Sequence, residues 1–126
     1  MYHGYRSEVA IMIYGTDEEM AVVKAVYDRP YSALDAETKE SVDYLMGYYT
    51  TNGFSEEGFR FHAEDIKWYD GYAHIEFFKE FFNDGDDSGA ACEFIRIGEE
   101  NDDIETDYIG DDNEYRLEIS RTIIGI

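Results

Sequence analysis

The chain has 126 residues, of which 44% are hydrophobic, and its 30 acidic and 10 basic residues give a net charge of −20. This length predicts a single domain, residues 1–126, with a sizeable core. The charge excludes direct binding to nucleic acid or anionic lipid, both of which would repel the chain, and it favours a basic partner. No apolar run approaches the ~20 residues of a membrane helix, and the single cysteine excludes an internal disulfide, so we expect a cytoplasmic protein.

The first half of the chain predicts one strand followed by two helices. β-Branched residues alternate from Arg6 to Tyr14, as in a strand. Thr16 and Glu19 have the spacing of a capping box, which predicts a first helix that ends before Pro30. A second capping signal at the start of the range Ser32–Tyr49 precedes apolar residues at helical spacing, so this range predicts a second helix.

The second half predicts four strands and a third helix. Alternating aromatic residues over 59–68 indicate a strand, with a possible bulge at Glu64-Asp65. Residues 72–82 repeat apolar side chains at helical spacing, although a strand after an Asp70-Gly71 turn is the alternative. The remaining strands are expected at Cys92–Gly98, Asp103–Ile109 and Tyr115–Ile124.

This order of elements predicts an α+β fold. We expect a ferredoxin-like arrangement, with a mainly antiparallel sheet of four to five strands and about three helices on one face. The last two strands, joined by a turn at Gly110-Asp111-Asp112-Asn113, are expected to form an acidic C-terminal hairpin that projects from the sheet or forms its edge.

The acidic hairpin carries most of the charge. Residues 84–118 contain fourteen acids and two arginines, but apolar residues alternate with the acids, which indicates folded strands instead of a disordered tail. Strand residues two apart lie about 6.8 Å apart on one face, so a row of carboxylates can imitate nucleic-acid phosphates. The alternative is a charged edge that prevents aggregation. The candidate partner-binding residues are Glu99, Glu100, Asp102, Asp103, Glu105, Asp107, Asp111 and Asp112.

The range Asp84–Gly89 matches the first half of a calcium-binding loop, with oxygen side chains at positions 1, 3 and 5 and glycine at position 6. Position 12, which should supply a bidentate carboxylate, is Ile95. An ordinary solvated turn is therefore the favoured interpretation.

No other motif predicts a catalytic or metal site, and we expect no cofactor. The histidines His3, His62 and His74 lack metal-ligand spacing, and His62 is expected on the solvent face of its strand. Cys92 fits a small core residue better than a nucleophile. Trp68, Tyr69 and Tyr72 are similarly expected to belong to the core, with a sugar or base pocket as the alternative.

Three segments resemble a group of small acidic proteins encoded by tailed bacteriophages and prophages. They are Asp65-Ile66-Lys67-Trp68-Tyr69-Asp70, the range 94–105, and Ile119-Ser120-Arg121-Thr122-Ile123. The resemblance implies a phage origin, and inhibitors of host defence, including anti-CRISPR proteins and restriction blockers, are well represented in such a class. It implies no catalytic residue.

Together these features lead to one main hypothesis and two alternatives. We expect a non-enzymatic viral protein that inhibits a host nucleic-acid-directed defence complex by covering its basic surface. The first alternative is a virion or replication accessory protein whose acidity only maintains solubility. The second is a small hydrolase that uses a pair of carboxylates.

Overall fold

The computed structural model describes residues 4–110, 116–119 and 122–126. These residues form an α+β fold with three helices, as predicted, and a short 3₁₀ turn follows the third helix at Asp86–Ser88. Within these ranges, none of the helices combines the length and the apolar character that crossing a membrane requires. The elements are β1 Ser7–Tyr14, α1 Asp17–Ser32, α2 Ala36–Met46, β2 Gly53–Ser55, β3 Gly58–Ile66, α3 Ala73–Gly85, β4 Ala91–Gly98, β5 Ile104–Ile109, β6 Glu118–Ile119 and β7 Ile123–Ile124.

The main sheet has five antiparallel strands in the order β2-β3-β1-β4-β5. Strand β1 occupies the centre, which explains why Val9, Ala10 and Ile11 on both of its faces are fully buried. Strand β5 lies at one edge of this sheet, opposite the edge formed by β2. The prediction of a mainly antiparallel sheet of four to five strands is confirmed.

All three helices pack on one face of the sheet. Odd-numbered residues of β1 point to this face, since Val9, Ile11 and Ile13 share one core cluster with helix residues. Helix α3 contributes most to the cluster because several aromatic side chains fall on its inner surface. The buried helix residues of this cluster are Val23, Val42, Leu45, Ile75, Phe77, Phe78, Phe81 and Phe82.

The C-terminal residues cover part of the opposite face. Leu117 and Ile123 pack there against Ala10 of β1 and Ile95 of β4. Strands β6 and β7 pair with each other in a separate two-stranded sheet. The single strand predicted over Tyr115–Ile124 is therefore wrong for the described residues, because this segment folds back on itself instead of extending the main sheet.

Helix α1 begins as predicted and ends later than predicted. The Glu19 amide donates to Thr16 Oγ1 at 3.2 Å, and the Thr16 amide donates to Glu19 Oε1 at 2.8 Å, which completes the capping box. The helix does not end before Pro30 but continues to Ser32. Proline removes one amide donor in the last turn, and the stacking of Tyr31 on Tyr27 at 6.0 Å keeps that turn packed.

The predicted helix Ser32–Tyr49 is shorter at both ends. Its N-cap is Asp35, which accepts a hydrogen bond from the Thr38 amide at 2.7 Å, while Ser32 closes α1. The helix ends at Met46, and the chain then turns into β2, which the sequence did not predict. A three-residue strand is too short to show a period-two pattern.

The strand predicted over 59–68 ends at Ile66 and contains the expected bulge. Its register against β1 shifts between the pairs Ser7↔Ile66 and Val9↔Ala63, and Asp65 has a φ of 54°. Helix α3 confirms the helical interpretation of residues 72–82 and extends it to Gly85.

Candidate functional site

The candidate site is the hairpin formed by β4 and β5. Among the described residues, β5 pairs with β4 and not, as predicted, with the C-terminal segment. The strands pair from Cys92↔Ile109 to Ile97↔Ile104, and the Gly98 amide donates to the Asp103 carbonyl at 2.8 Å. Gly98 must lack a side chain here, because a Cβ would collide with Asp103 and with the Tyr5 hydroxyl. Asp103 and Tyr5 therefore pack tightly against the end of β4.

Arg96 binds two of the predicted site residues at once. Its side chain donates to Asp103 at 2.6 and 3.1 Å and to Glu105 Oε1 at 2.8 Å. A further bond of 3.1 Å reaches Ser7 Oγ, and the Arg96 residue is only 8% exposed. Hydrogen bonds from Arg96 and then from Tyr5 lower the pKa of Asp103 to about 2. The hydrogen bonds to Asp103 and then to Glu105 raise the pKa of Arg96.

The N-terminal residues hold the turn in place. The Tyr5 hydroxyl donates to Asp103 Oδ2 at 2.6 Å and accepts from the Glu100 amide at 3.0 Å. The Tyr5 amide in turn donates to the Tyr69 hydroxyl at 2.7 Å. The hydrogen bond to Asp103 raises the pKa of Tyr5. This network links residues distant in sequence, so sequence reasoning could not detect it.

The predicted site residues fall into three groups. Asp103, one of the predicted partner-binding residues, is half-buried and is held by Arg96 and Tyr5. Glu105 is exposed but paired with Arg96. Four exposed acids make no side-chain hydrogen bond or ion pair with the described residues: Glu99, Glu100, Asp102 and Asp107. Asp111 and Asp112 lie outside the described ranges.

Glu105 and Asp107 border a groove between α3 and β5 that has a volume of about 520 Å³. Glu105 and Asp107 share the helix-facing side of β5, since they pair with Arg96 and Phe94. Lys79 of α3 lies on the same rim, 2.7 Å from Asp70, which raises the pKa of Lys79. The apolar lining residues are Ile11, Trp68, Phe78, Phe82, Phe94 and Ile104. The groove thus combines an apolar floor with a mainly acidic rim.

Trp68, Tyr69 and Tyr72 do not form the alternative sugar or base pocket. Trp68 belongs to the core, as expected, although it also lines the groove. Tyr69 bonds to Tyr5, and Tyr72 is exposed. Tyr69 and Tyr72 were both expected in the core. This prediction is wrong for Tyr72, which occupies the N-cap position of α3 at the surface.

The cysteine, the calcium-loop pattern and one histidine were also considered in the sequence as possible sites, and each lies in or next to a regular element of the fold. Cys92 is buried, as predicted, and burial raises the pKa of its thiol to about 12. Asp84 lies within α3, and Ile95 lies in the core, so the calcium-loop pattern does not form a loop of that kind. His62 is buried, not solvent-facing, and its Nε2 lies 2.8 Å from Glu8 Oε2.

No protein-family model, curated protein or solved structure matches the chain.

Proposed function

We propose that this chain is a phage-type acidic binding protein, not an enzyme, that inhibits a host nucleic-acid-directed defence system of the CRISPR or restriction class. It acts in the host cytoplasm and needs no cofactor. Its partner is the basic surface of a nucleic-acid-binding protein or complex, where its carboxylates take the places of phosphates.

One observation carries the proposal: exposed carboxylates are concentrated on the edge hairpin. Glu99, Glu100 and Asp102 project from its turn, and Glu105 and Asp107 follow along one face of β5. Lysine and arginine side chains that bind nucleic acid respond to closely spaced negative charges. An acidic edge strand therefore offers them an alternative partner.

The network around Arg96 supports this role because it fixes the shape of the hairpin before binding. Arg96 joins β4 to β5 through Asp103 and Glu105, and Tyr5 fixes the turn to the N-terminal residues. A preorganised surface loses less conformational entropy when it binds. Since Arg96 neutralises part of the charge of Asp103 and Glu105, the unpaired acids make the main contacts in this proposal.

The groove supports a basic partner in a second way. A lysine or arginine side chain has an apolar stem and a charged head. The stem fits against Trp68 and Phe94, while the head fits beside Asp107 on the rim. Aromatic rings also attract cations, most strongly when the site is shielded from water.

We further infer that the sheet has the ferredoxin-like arrangement with β5 added beside β4. The order strand, helices, two strands, helix, strand supports this inference, as does the position of β1 between β3 and β4. The hairpin then lies at an edge that the addition creates.

Two variants of equal charge test the proposal. The hairpin variant carries Glu99→Gln, Glu100→Gln, Asp102→Asn and Asp107→Asn. The control variant carries Glu37→Gln, Glu40→Gln, Glu56→Gln and Glu57→Gln, which are exposed acids on α2 and at the β2 edge. Each variant removes four negative charges, so a difference between them reflects position instead of bulk charge.

The immobilised proteins are exposed to host lysate and then washed with duplex DNA. We expect the wild type and the control variant to capture nucleic-acid-binding proteins that the DNA displaces, and the hairpin variant to capture none. Equal capture by both variants, with no displacement by DNA, would reject the proposal and favour the accessory-protein alternative.

A further inference from the structure

A cluster of potential metal ligands lies on the sheet face opposite the helices, away from the groove. Glu8 of β1 and His62 and Glu64 of β3 each offer one ligand atom, and these atoms all lie within 4.8 Å of one another. His62 Nε2 lies 2.8 Å from Glu8 Oε2 and 3.8 Å from Glu64 Oε1. It is the one such convergence of three ligands found among the described residues.

We propose that this cluster binds a divalent transition-metal ion of the zinc type through His62 Nε2 and one oxygen each from Glu8 and Glu64. Zinc lies about 2.0–2.2 Å from such ligands, so tetrahedral ligand atoms are separated by roughly 3.4 Å. The two measured separations lie on either side of this value. The two carboxylate oxygens lie within 4.8 Å of each other, so side-chain movements on the order of 1 Å bring the three atoms to binding distance.

The local backbone explains why the three side chains meet. His62 pairs with Ala10 and lies on the same face as Glu8, two residues along β1. The register shift of the bulge falls where Glu64 and Asp65 lie beside Glu8. Bulges redirect side chains in this way, and here the bulge accompanies the approach of Glu64 to His62.

Surrounding groups hold the ligands in position. The Tyr49 ring stacks on His62 with centroids 5.1 Å apart, and the Asn52 side chain bonds both backbone groups of His62 at 2.9 Å. The Thr122 hydroxyl donates to the Glu8 carboxylate at 2.7 and 2.9 Å. Outer hydrogen bonds of this kind orient ligands and strengthen metal binding.

The chemistry of the ligands favours zinc over calcium or magnesium. One imidazole nitrogen with two carboxylates suits a transition metal, whereas calcium requires six to eight oxygen ligands. A divalent ion also compensates the two carboxylates in a chain of net charge −20. When the ion binds Nε2, any proton on that atom is released to solvent. The Glu64 side chain is 46% exposed and leaves an entry route.

The test is calorimetric titration of zinc chloride into the metal-stripped full-length chain, with excess magnesium chloride present to occupy exposed carboxylates. We expect one ion per chain. His62→Ala and Glu64→Gln each weaken binding by at least about tenfold, because even the loss of an outer hydrogen bond has that effect. Glu64→Gln is the more informative variant because it keeps the His62–Glu8 contact and the stacking of His62 on Tyr49, both of which His62→Ala removes.

The matched control is His74→Ala, which removes a histidine from α3, outside the cluster. We expect this variant to bind zinc as the wild type does, and circular dichroism verifies that all variants are folded. Absence of zinc binding by the wild type would overturn the inference. Unchanged binding by folded His62→Ala and Glu64→Gln would also overturn it. This inference is independent of the proposed function.

Discussion

Arg96 holds Asp103 through two hydrogen bonds, of 2.6 and 3.1 Å, across the β4–β5 hairpin. The arginine is buried on the helix-facing side of β4, and the carboxylate lies at the end of the turn. One cation thereby organises a hairpin whose charged side chains between residues 99 and 107 are all negative.

Replacing Arg96 tests its structural role. In Arg96→Met, the carboxylates of Asp103 and Glu105 lose their shared partner and repel each other. The free energy of unfolding should fall by about 2 kcal/mol, as for lost hydrogen bonds to a charged group. Urea denaturation measures the change. Arg29→Met, which removes the same charge from the exposed end of α1, should have a smaller effect, and equal effects would contradict the role of Arg96.

The acid stability of the hairpin depends on Asp103. Its pKa is lowered to about 2 by Arg96 and then by Tyr5, so the folded state favours the charged carboxylate. The resulting stability is fully present above the unfolded pKa of about 4 and is lost as the pH falls toward 2. In urea denaturation, the difference between the wild type and Asp103→Asn should shrink over this range. A constant difference would contradict the assignment.

Glu93 connects the main sheet to the C-terminal residues. It is 1% exposed and accepts hydrogen bonds from the amides of Arg116 and Leu117 at 2.8 and 3.0 Å and from the Tyr14 hydroxyl at 2.6 Å. Glu93→Ala removes the acceptor of three donors, so the free energy of unfolding should fall by about 3 kcal/mol.

Hydrogen exchange localises this effect. The Leu117 amide should exchange faster in Glu93→Ala, whereas the exposed control Glu40→Ala should leave its exchange unchanged. If Leu117 remained equally protected in both variants, Glu93 would not be the group that holds the C-terminal residues on the sheet.

Salt should stabilise the fold. The chain has thirty acidic and only ten basic residues, so its excess negative charges repel one another in the compact state. The Debye length shortens from about 30 Å at 0.01 M salt to about 3 Å at 1 M, so this repulsion is screened. The melting temperature should therefore rise between these conditions. A fall would mean that screened ion pairs, such as those of Arg96, outweigh the repulsion.

The helices and strands that could be predicted are specified by residues close together in the sequence. The capping box of Thr16 and Glu19 identified the start of α1, and aromatic spacing identified α3. Pro30 misled the prediction of the helix end because Tyr31 packs against Phe77 of α3 and bonds to Asp43 of α2, and this tertiary packing holds one more turn together. The amides of Arg116 and Leu117 in the C-terminal segment donate to Glu93, which in the sequence is only one more acid in a charged stretch.

The arrangement of the candidate site was predicted only in part. The acidic residues of the hairpin are visible in the sequence, but Arg96 reads there as a minor exception, and Tyr5 is 98 residues from Asp103. His62 and Glu8 are 54 residues apart, so no spacing motif connects them. Such contacts arise from strand pairing, which a single sequence does not reveal.

The most direct test of the central claim is phage plating on a panel of bacterial strains, each carrying one restriction or CRISPR system. Cells express the wild type, the hairpin variant or the control variant at matched levels. The account predicts that the wild type and the control variant restore plaques on at least one strain, while the folded hairpin variant does not. Restoration by all three proteins alike, or by none of them on any strain, would contradict it.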